Sequence, residues 1–273
     1  MTDSTLETVL RRDRLIVAGA LGVIAALAWG YVLWLADDMD MGGMDMTGFR
    51  MIPAGIGIMA PTNAPWSAIE FAFVFVMWSV MMVGMMAPSA APMILMYARV
   101  GRQGKSVGKP FAATGWFAAG YFLVWIGFAL AATLVQWVLE RTALLDSRMA
   151  SARNVFGASV LIAAGIYQWT SLKDVCLTQC QSPFQFLLRY GGFRGDVPGC
   201  LLLGLRHGAY CVGCCWFLMA LLFVGGVMNV LWITLLALLV LLEKLTPYGR
   251  WVGRVAGIAC IATGAQMLLS SPQ

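Results

Sequence analysis

Histidine is all but missing from this 273-residue chain, which has one, His207. A single imidazole excludes any catalytic scheme built on several histidines. Charge is scarce as well: Asp, Glu, Lys and Arg together make up 11% of the residues. So few charges exclude the well-solvated surface of a soluble domain. The 60% hydrophobic content and mean hydropathy of +0.80 exceed what such a domain could bury. The net charge of +5 is not an argument for nucleic acid, because the charges are spread along the chain and sort by position. No Walker motif or ATPase aspartate motif is visible, which weighs against ATP-driven pumping by this chain alone. No long linker or internal repeat divides it, so residues 1–273 are expected to form a single transmembrane domain.

What the chain does have is long apolar runs. A helix needs roughly 20 apolar residues to cross the hydrocarbon of a bilayer. Seven segments qualify, at about 15–35, 69–100, 111–139, 154–170, 198–224, 227–242 and 251–269. The first is longer than a signal-peptide core, and Asp37 and Asp38 follow it rather than a small-residue cleavage site, so it reads as a retained span. The fifth and sixth are joined by Gly225 and Gly226, which predicts a tight antiparallel hairpin. Lys and Arg collect on the cytoplasmic side of membranes. Arg11, Arg12, Arg14, Arg99, Arg102, Lys105, Lys109, Lys173, Arg189, Arg194, Arg206, Lys244, Arg250 and Arg254 all fall on one side if the N-terminus is cytoplasmic. The other side receives Arg50, Arg141, Arg148 and Arg153. The expectation is an all-α polytopic bundle of about seven spans, N-in and C-out, integral to a bilayer and placed in a bacterial inner membrane. A Met/Asp-rich external loop occupies about 36–68.

Methionine is abundant, with 18 residues. In the first external loop Met39, Met41, Met44 and Met46 alternate with aspartates around Gly42 and Gly43. Thioethers suit Cu(I), carboxylates suit harder ions, and glycines let a short loop wrap one ion. The alternative is a flexible acidic loop in which methionine is incidental. In the second span Met77, Met81 and Met85 form one helical stripe, and Met82 and Met86 a neighbouring one. Such steps resemble the methionine ladder of the Ctr-type copper transporters, although methionine also fills gaps between helices. Pro88 and Pro92 follow and predict a kink, because each removes a backbone donor and crowds the carbonyl four residues back.

The fifth span carries His207, Cys211, Cys214 and Cys215. On a helix, His207, Cys211 and Cys214 or Cys215 share a direction. One imidazole and two thiolates make a soft site for Cu(I), Zn(II) or a cluster. Counting residues from the expected boundaries puts Met77 and Met81 at the depth of His207 and Cys211. Gly208, Ala209 and Gly213 would allow close approach of another helix. Cys176 and Cys180, at the end of the fourth span, share a helical face as a ligand pair, a redox pair or inert thiols. Cys200 and Cys260 read as apolar packing. Glu243 and Lys244 read as markers of the membrane interface rather than as a buried pair.

Several of these stretches together resemble the DUF2182 family of predicted metal-binding integral membrane proteins. They are 81–89 (MMVGMMAPS), 172–177 (LKDVCL), 204–208 (GLRHG), 211–216 (CVGCCW) and 228–244 from Met228-Asn229 to Glu243-Lys244. The resemblance covers about 69–269 and implies membrane location and metal binding, with no defined reaction. The loop at 39–46 lies outside it, so the copper reading at this point rests on that loop and on the soft ligands. The leading expectation is a Cu(I)-handling protein serving uptake, relay or delivery. Its partners would be a metallochaperone, a cuproenzyme or another membrane subunit, with zinc or another soft metal as the alternative cargo. A membrane thiol–disulfide oxidoreductase and a non-catalytic subunit of a larger complex are the competing classes.

Overall fold

The computed structural model describes residues 3–40, 49–51, 59–61, 65–103, 110–145, 149–151 and 154–270. Ten helices account for nearly all of the described residues: α1 (Asp3–Asp40), α2 (Ala68–Gln103), α3 (Pro110–Arg141), α4 (Asn154–Tyr167), α5 (Ser171–Gln181), α6 (Pro183–Arg189), α7 (Val197–Ala220), α8 (Leu222–Gly225), α9 (Val230–Leu245) and α10 (Gly249–Leu269). A three-residue antiparallel pair, β1 (Phe49–Met51) and β2 (Met59–Pro61), lies between α1 and α2.

The helix starts follow local chemistry. Thr170, Asp196 and Asn229 cap α5, α7 and α9 by accepting from the backbone N–H of Lys173, Gly199 and Trp232. Pro198 occupies the first turn of α7, where its missing N–H leaves no bond unmade. Gly226, at φ 96°, takes the left-handed conformation that turns the chain into α9.

Among the described residues, five helices are long and apolar enough to cross a membrane: Leu15–Asp37, Ala68–Gly101, Ala112–Arg141, Val197–Gly225 and Gly249–Leu269. The pair α4 and α5 adds a sixth if its 65° bend is taken as a broken or re-entrant span. Helices therefore form at all seven expected segments, but two of them fall short. With 14 and 16 residues, α4 and α9 reach about 21 and 24 Å at ~1.5 Å per residue. Thr170 stops the expected fourth span and starts a new helix in another direction. In the last turn of α9, Glu243 and Lys244 are buried against protein while Leu242 and Leu245 face outward.

Contacts set the relative directions. α1 and α2 are antiparallel, with Gly84 against Ala28 and with Leu15 and Ala18 near Leu95 and Arg99. α2 and α3 are antiparallel, through Trp78–Gln136 at one end and Tyr97–Phe117 at the other. α3 and α7 run parallel and very close. A Cβ on Gly204 would strike the Phe117 carbonyl, and one on Gly208 would lie 3.0 Å from that of Tyr121. α4 and α10 are antiparallel and equally tight, since Gly165 faces Gly257 and Gly264 faces Ala158. Small residues bring helix backbones together where hydrocarbon offers no hydrophobic drive. The expected α7–α9 hairpin is a correction. After Gly226, α9 packs mainly on α10 and α2 rather than on α7. Lipid-type exposure is concentrated on outward faces, as at Leu27, Leu123, Leu231 and Val255.

Candidate metal centre

The core of the bundle is rich in sulfur. Met77, Met81, Met82, Met85 and Met86 on α2 are all buried. Met77 and Met81 sit among apolar neighbours of the core. Met85 lines a lateral cavity of about 240 Å³ with Trp29, Gly84, Pro88, Thr234 and Leu241. Among the described residues, Met86 alone of the five has a charged group at its sulfur. Lys244 Nζ lies 3.9 Å from Met86 Sδ, 3.2 Å from Ser89 Oγ and 2.8 Å from Cys211 Sγ. Ser89 in turn donates to the Met86 carbonyl at 3.0 Å, within the stretch that Pro88 deprives of its regular bond to Gly84. The level shared with Cys211 is therefore that of Met86. Trp78, next to Met77, instead meets Phe223 far along the chain from Cys211. The depth expected for Met77 and Met81 is displaced because α2 is 36 residues long and overshoots a bilayer.

Cys211 is the hub. Its sulfur is 3.0 Å from Tyr121 Oη of α3, and the thiols of Cys180, Cys214 and Cys215 crowd around it. Cys214 and Cys215 also donate to the Cys211 carbonyl at 3.1 and 3.0 Å, as buried thiols on one helix do. From α5, Cys180 Sγ stands 4.0 Å from Cys214 Sγ, and Cys176 Sγ fills the space that a side chain on Gly213 would occupy. Tyr167 donates to the Gly213 carbonyl and completes the α4/α5–α7 seam. Two sequence clusters that looked separate, 176–180 and 211–215, thus meet in one place. Gly208 and Gly213 admit α3 and α5 as expected, whereas Ala209 faces outward.

His207 lies one turn before Cys211 and is buried. Its ring is walled by Tyr121, Phe117 and Phe186, with centroids at 5.7, 6.1 and 5.1 Å. Its Nδ1 has no hydrogen-bond partner among the described residues. An orphaned buried nitrogen beside soft sulfurs fits a ligand role. Even so, no three His, Cys, Asp or Glu side chains of the described residues form a ready-made cage. The thiols are turned to the backbone and to Lys244. Met41, Met44 and Met46 lie outside the described residues, and of Met39 only the helical backbone is described.

Lys244 and its neighbour overturn the interface reading. Both are buried, and they point to different partners. Glu243 pairs with Lys173 of α5 at 2.7 Å, and Gln168 also accepts from that lysine. Gln181 donates to the Glu243 carbonyl at 2.7 Å. One signal was available: adjacent opposite charges at the end of an otherwise apolar helix. Cys200 is buried but not merely apolar packing, since its thiol accepts from Tyr97 Oη at 3.3 Å and donates to the Arg194 carbonyl at 3.1 Å, and Cys260 is half-buried on α10.

A family model described as PpoB2, copper chaperone, matches residues 75–267. The chain belongs to the PpoB2 copper-chaperone family. That match, rather than the DUF2182 designation, is what the comparison supports. It includes Met77, the whole sulfur cluster and Lys244, and it begins after the loop at 39–46. The copper connection is therefore carried by the bundle and does not depend on that loop. No curated protein and no solved structure matches the chain.

Proposed function

We propose that this member of the copper-chaperone family holds Cu(I) in transit within the membrane, at the thiols gathered around Cys211. The observation that carries the reading is the convergence of Cys180 from α5 with Cys214 from α7, 4.0 Å apart, inside the family-matched region. Cu(I) favours two or three soft ligands, and thiolates outbind thioethers. Cys211, Cys214, Cys215 and Cys180 are the holding set, with His207 and Cys176 at its edges. Met77, Met81 and Met85 are weaker stations on the approach along α2, and Met39, Met41, Met44 and Met46 are the outer collector. The cargo leaves to a cuproenzyme or another copper carrier. Seven crossings with the N-terminus inside, α4 and α9 being short ones, fit the alternating helix directions and the distribution of Lys and Arg apart from the buried Lys173 and Lys244, and a bacterial inner membrane is the expected setting.

The same 4.0 Å sulfur pair favours a second reading, thiol–disulfide exchange. Burial weighs against it, because Cys211, Cys214 and Cys215 are each no more than 2% exposed, which leaves the half-buried Cys180 as the accessible member of the pair.

The test is elemental mass spectrometry on protein purified in detergent, before and after loading with Cu(I). It is run on the wild type, a Cys211/Cys214/Cys215→Ser variant and His207→Ala. Copper near one per chain, lost in the triple variant with folding retained, is the expected result. Zinc lost in the same pattern would keep the site and change the cargo. No retained metal under either condition would overturn the reading.

A further inference from the structure

Of the two buried lysines among the described residues, Lys173 has a carboxylate and Lys244 has none. A buried ammonium without a counter-charge is costly in a low-dielectric interior. What faces Lys244 is a sulfur of the cluster, a hydroxyl and a thioether: Cys211 Sγ, Ser89 Oγ and Met86 Sδ. These meet its three N–H donors one for one. Glu243, the adjacent residue, is turned away and held by Lys173 at 2.7 and 2.8 Å. Among the described residues, Lys244 therefore places one positive charge against the cysteine hub with no carboxylate in direct contact, since Glu243, near enough to feel that charge, is engaged by Lys173.

We propose that Lys244 is the counter-cation of a two-thiolate Cu(I) complex and gives the site its preference for a monovalent ion. The inference rests on the functional reading above. Cu(I) between two thiolates carries one net negative charge, which is unfavourable in a membrane interior. The Lys244 ammonium, 2.8 Å from one of those sulfurs, brings the sum to zero. A divalent ion between the same two thiolates is already neutral. With Lys244 present it must draw a third thiolate from the holding set, at the cost of one more thiol deprotonation in a low-dielectric interior, before the sum returns to zero. Lys244 thus acts on the cargo through charge and is not itself a ligand.

The experiment measures affinity for Cu(I), supplied from a chromophoric Cu(I) chelator, and for Zn(II), by competition in detergent. It compares wild type, Lys244→Met and Lys244→Gln, with the melting temperature recorded for each. Methionine keeps the volume without charge, and glutamine keeps a hydrogen-bond donor without charge. Both variants should lose about 10–100-fold in Cu(I) affinity, as removing a group that supports a ligand commonly does, with Zn(II) binding unchanged or tighter and melting preserved. Cu(I) affinity within about threefold of wild type in either variant would overturn the proposal. An equal loss for both metals together with lowered melting would overturn it too, by making Lys244 a structural tie between α9 and α2. If wild type itself takes up no Cu(I), the functional reading fails first, and this proposal falls with it.

Discussion

Replacing Glu243 by Gln should destabilise the protein severely, and replacing Glu243 and Lys173 together should not. Lys173 Nζ contacts both Glu243 oxygens at 2.7 and 2.8 Å, and the two side chains are 1–2% exposed. A Cβ on Gly253 would lie 2.9 Å from Glu243 Oε1, so the pair is packed tightly enough to leave water no entry there. Removing the carboxylate charge leaves a buried ammonium facing only neutral oxygens, those of Gln168 and of the new amide, a loss of about 3–5 kcal/mol. Replacing both partners by apolar residues of similar volume, Lys173→Met with Glu243→Leu, removes the desolvation term as well and should fall within about 1 kcal/mol of wild type or above it. The assay is reversible unfolding in mixed micelles followed by tryptophan fluorescence, on Glu243→Gln, on the singles Lys173→Met and Glu243→Leu, and on their double variant, the last three closing a double-mutant cycle with wild type. Because Lys173 anchors α5, the single variants should also hold Cu(I) less well, through displacement of Cys180 from Cys214. A single-variant loss below about 1 kcal/mol, or a double variant as weak as the sum of the singles, would refute the reasoning.

Two further outcomes follow from geometry. Gly204→Val should disrupt α3–α7 packing and abolish a monodisperse bundle on size-exclusion chromatography, since its Cβ would strike the Phe117 carbonyl, whereas Gly127→Val, with open space around it, should behave as wild type. Mild oxidation should join Cys180 to Cys214, whose sulfurs need to close from 4.0 Å to about 2.05 Å. Peptide mass spectrometry should find that link and none to Cys260, and a dominant link to Cys260 would disprove the placement of α5.

Much of the site was legible along the chain. The His207–Cys215 stretch announces itself because cysteines three and four apart must share a helix face. The helical pairing of Cys176 with Cys180 follows from the same rule, as does the close approach at Gly208 and Gly213. Misreadings arose where a residue's role depends on another element. Lys244 looks like an interface charge on its own helix, and only the direction in which α9 packs turns it towards Cys211. The span count drifted for a similar reason, because hydropathy measures apolar length and says nothing of a 65° bend after Tyr167.

Composition and periodicity by themselves determined that this is an all-α membrane bundle with a soft, sulfur-rich interior. Apolar run length dictates helices in lipid, where backbone groups have no other partner. Tertiary structure alone decided that 176–180 and 211–215 form one cluster, that Met86 rather than Met77 stands at its level, and that a lysine completes it. Those are contacts between helices far apart in sequence. Their register is set by where glycines let backbones touch and where buried charges find partners, and neither is encoded in any one segment.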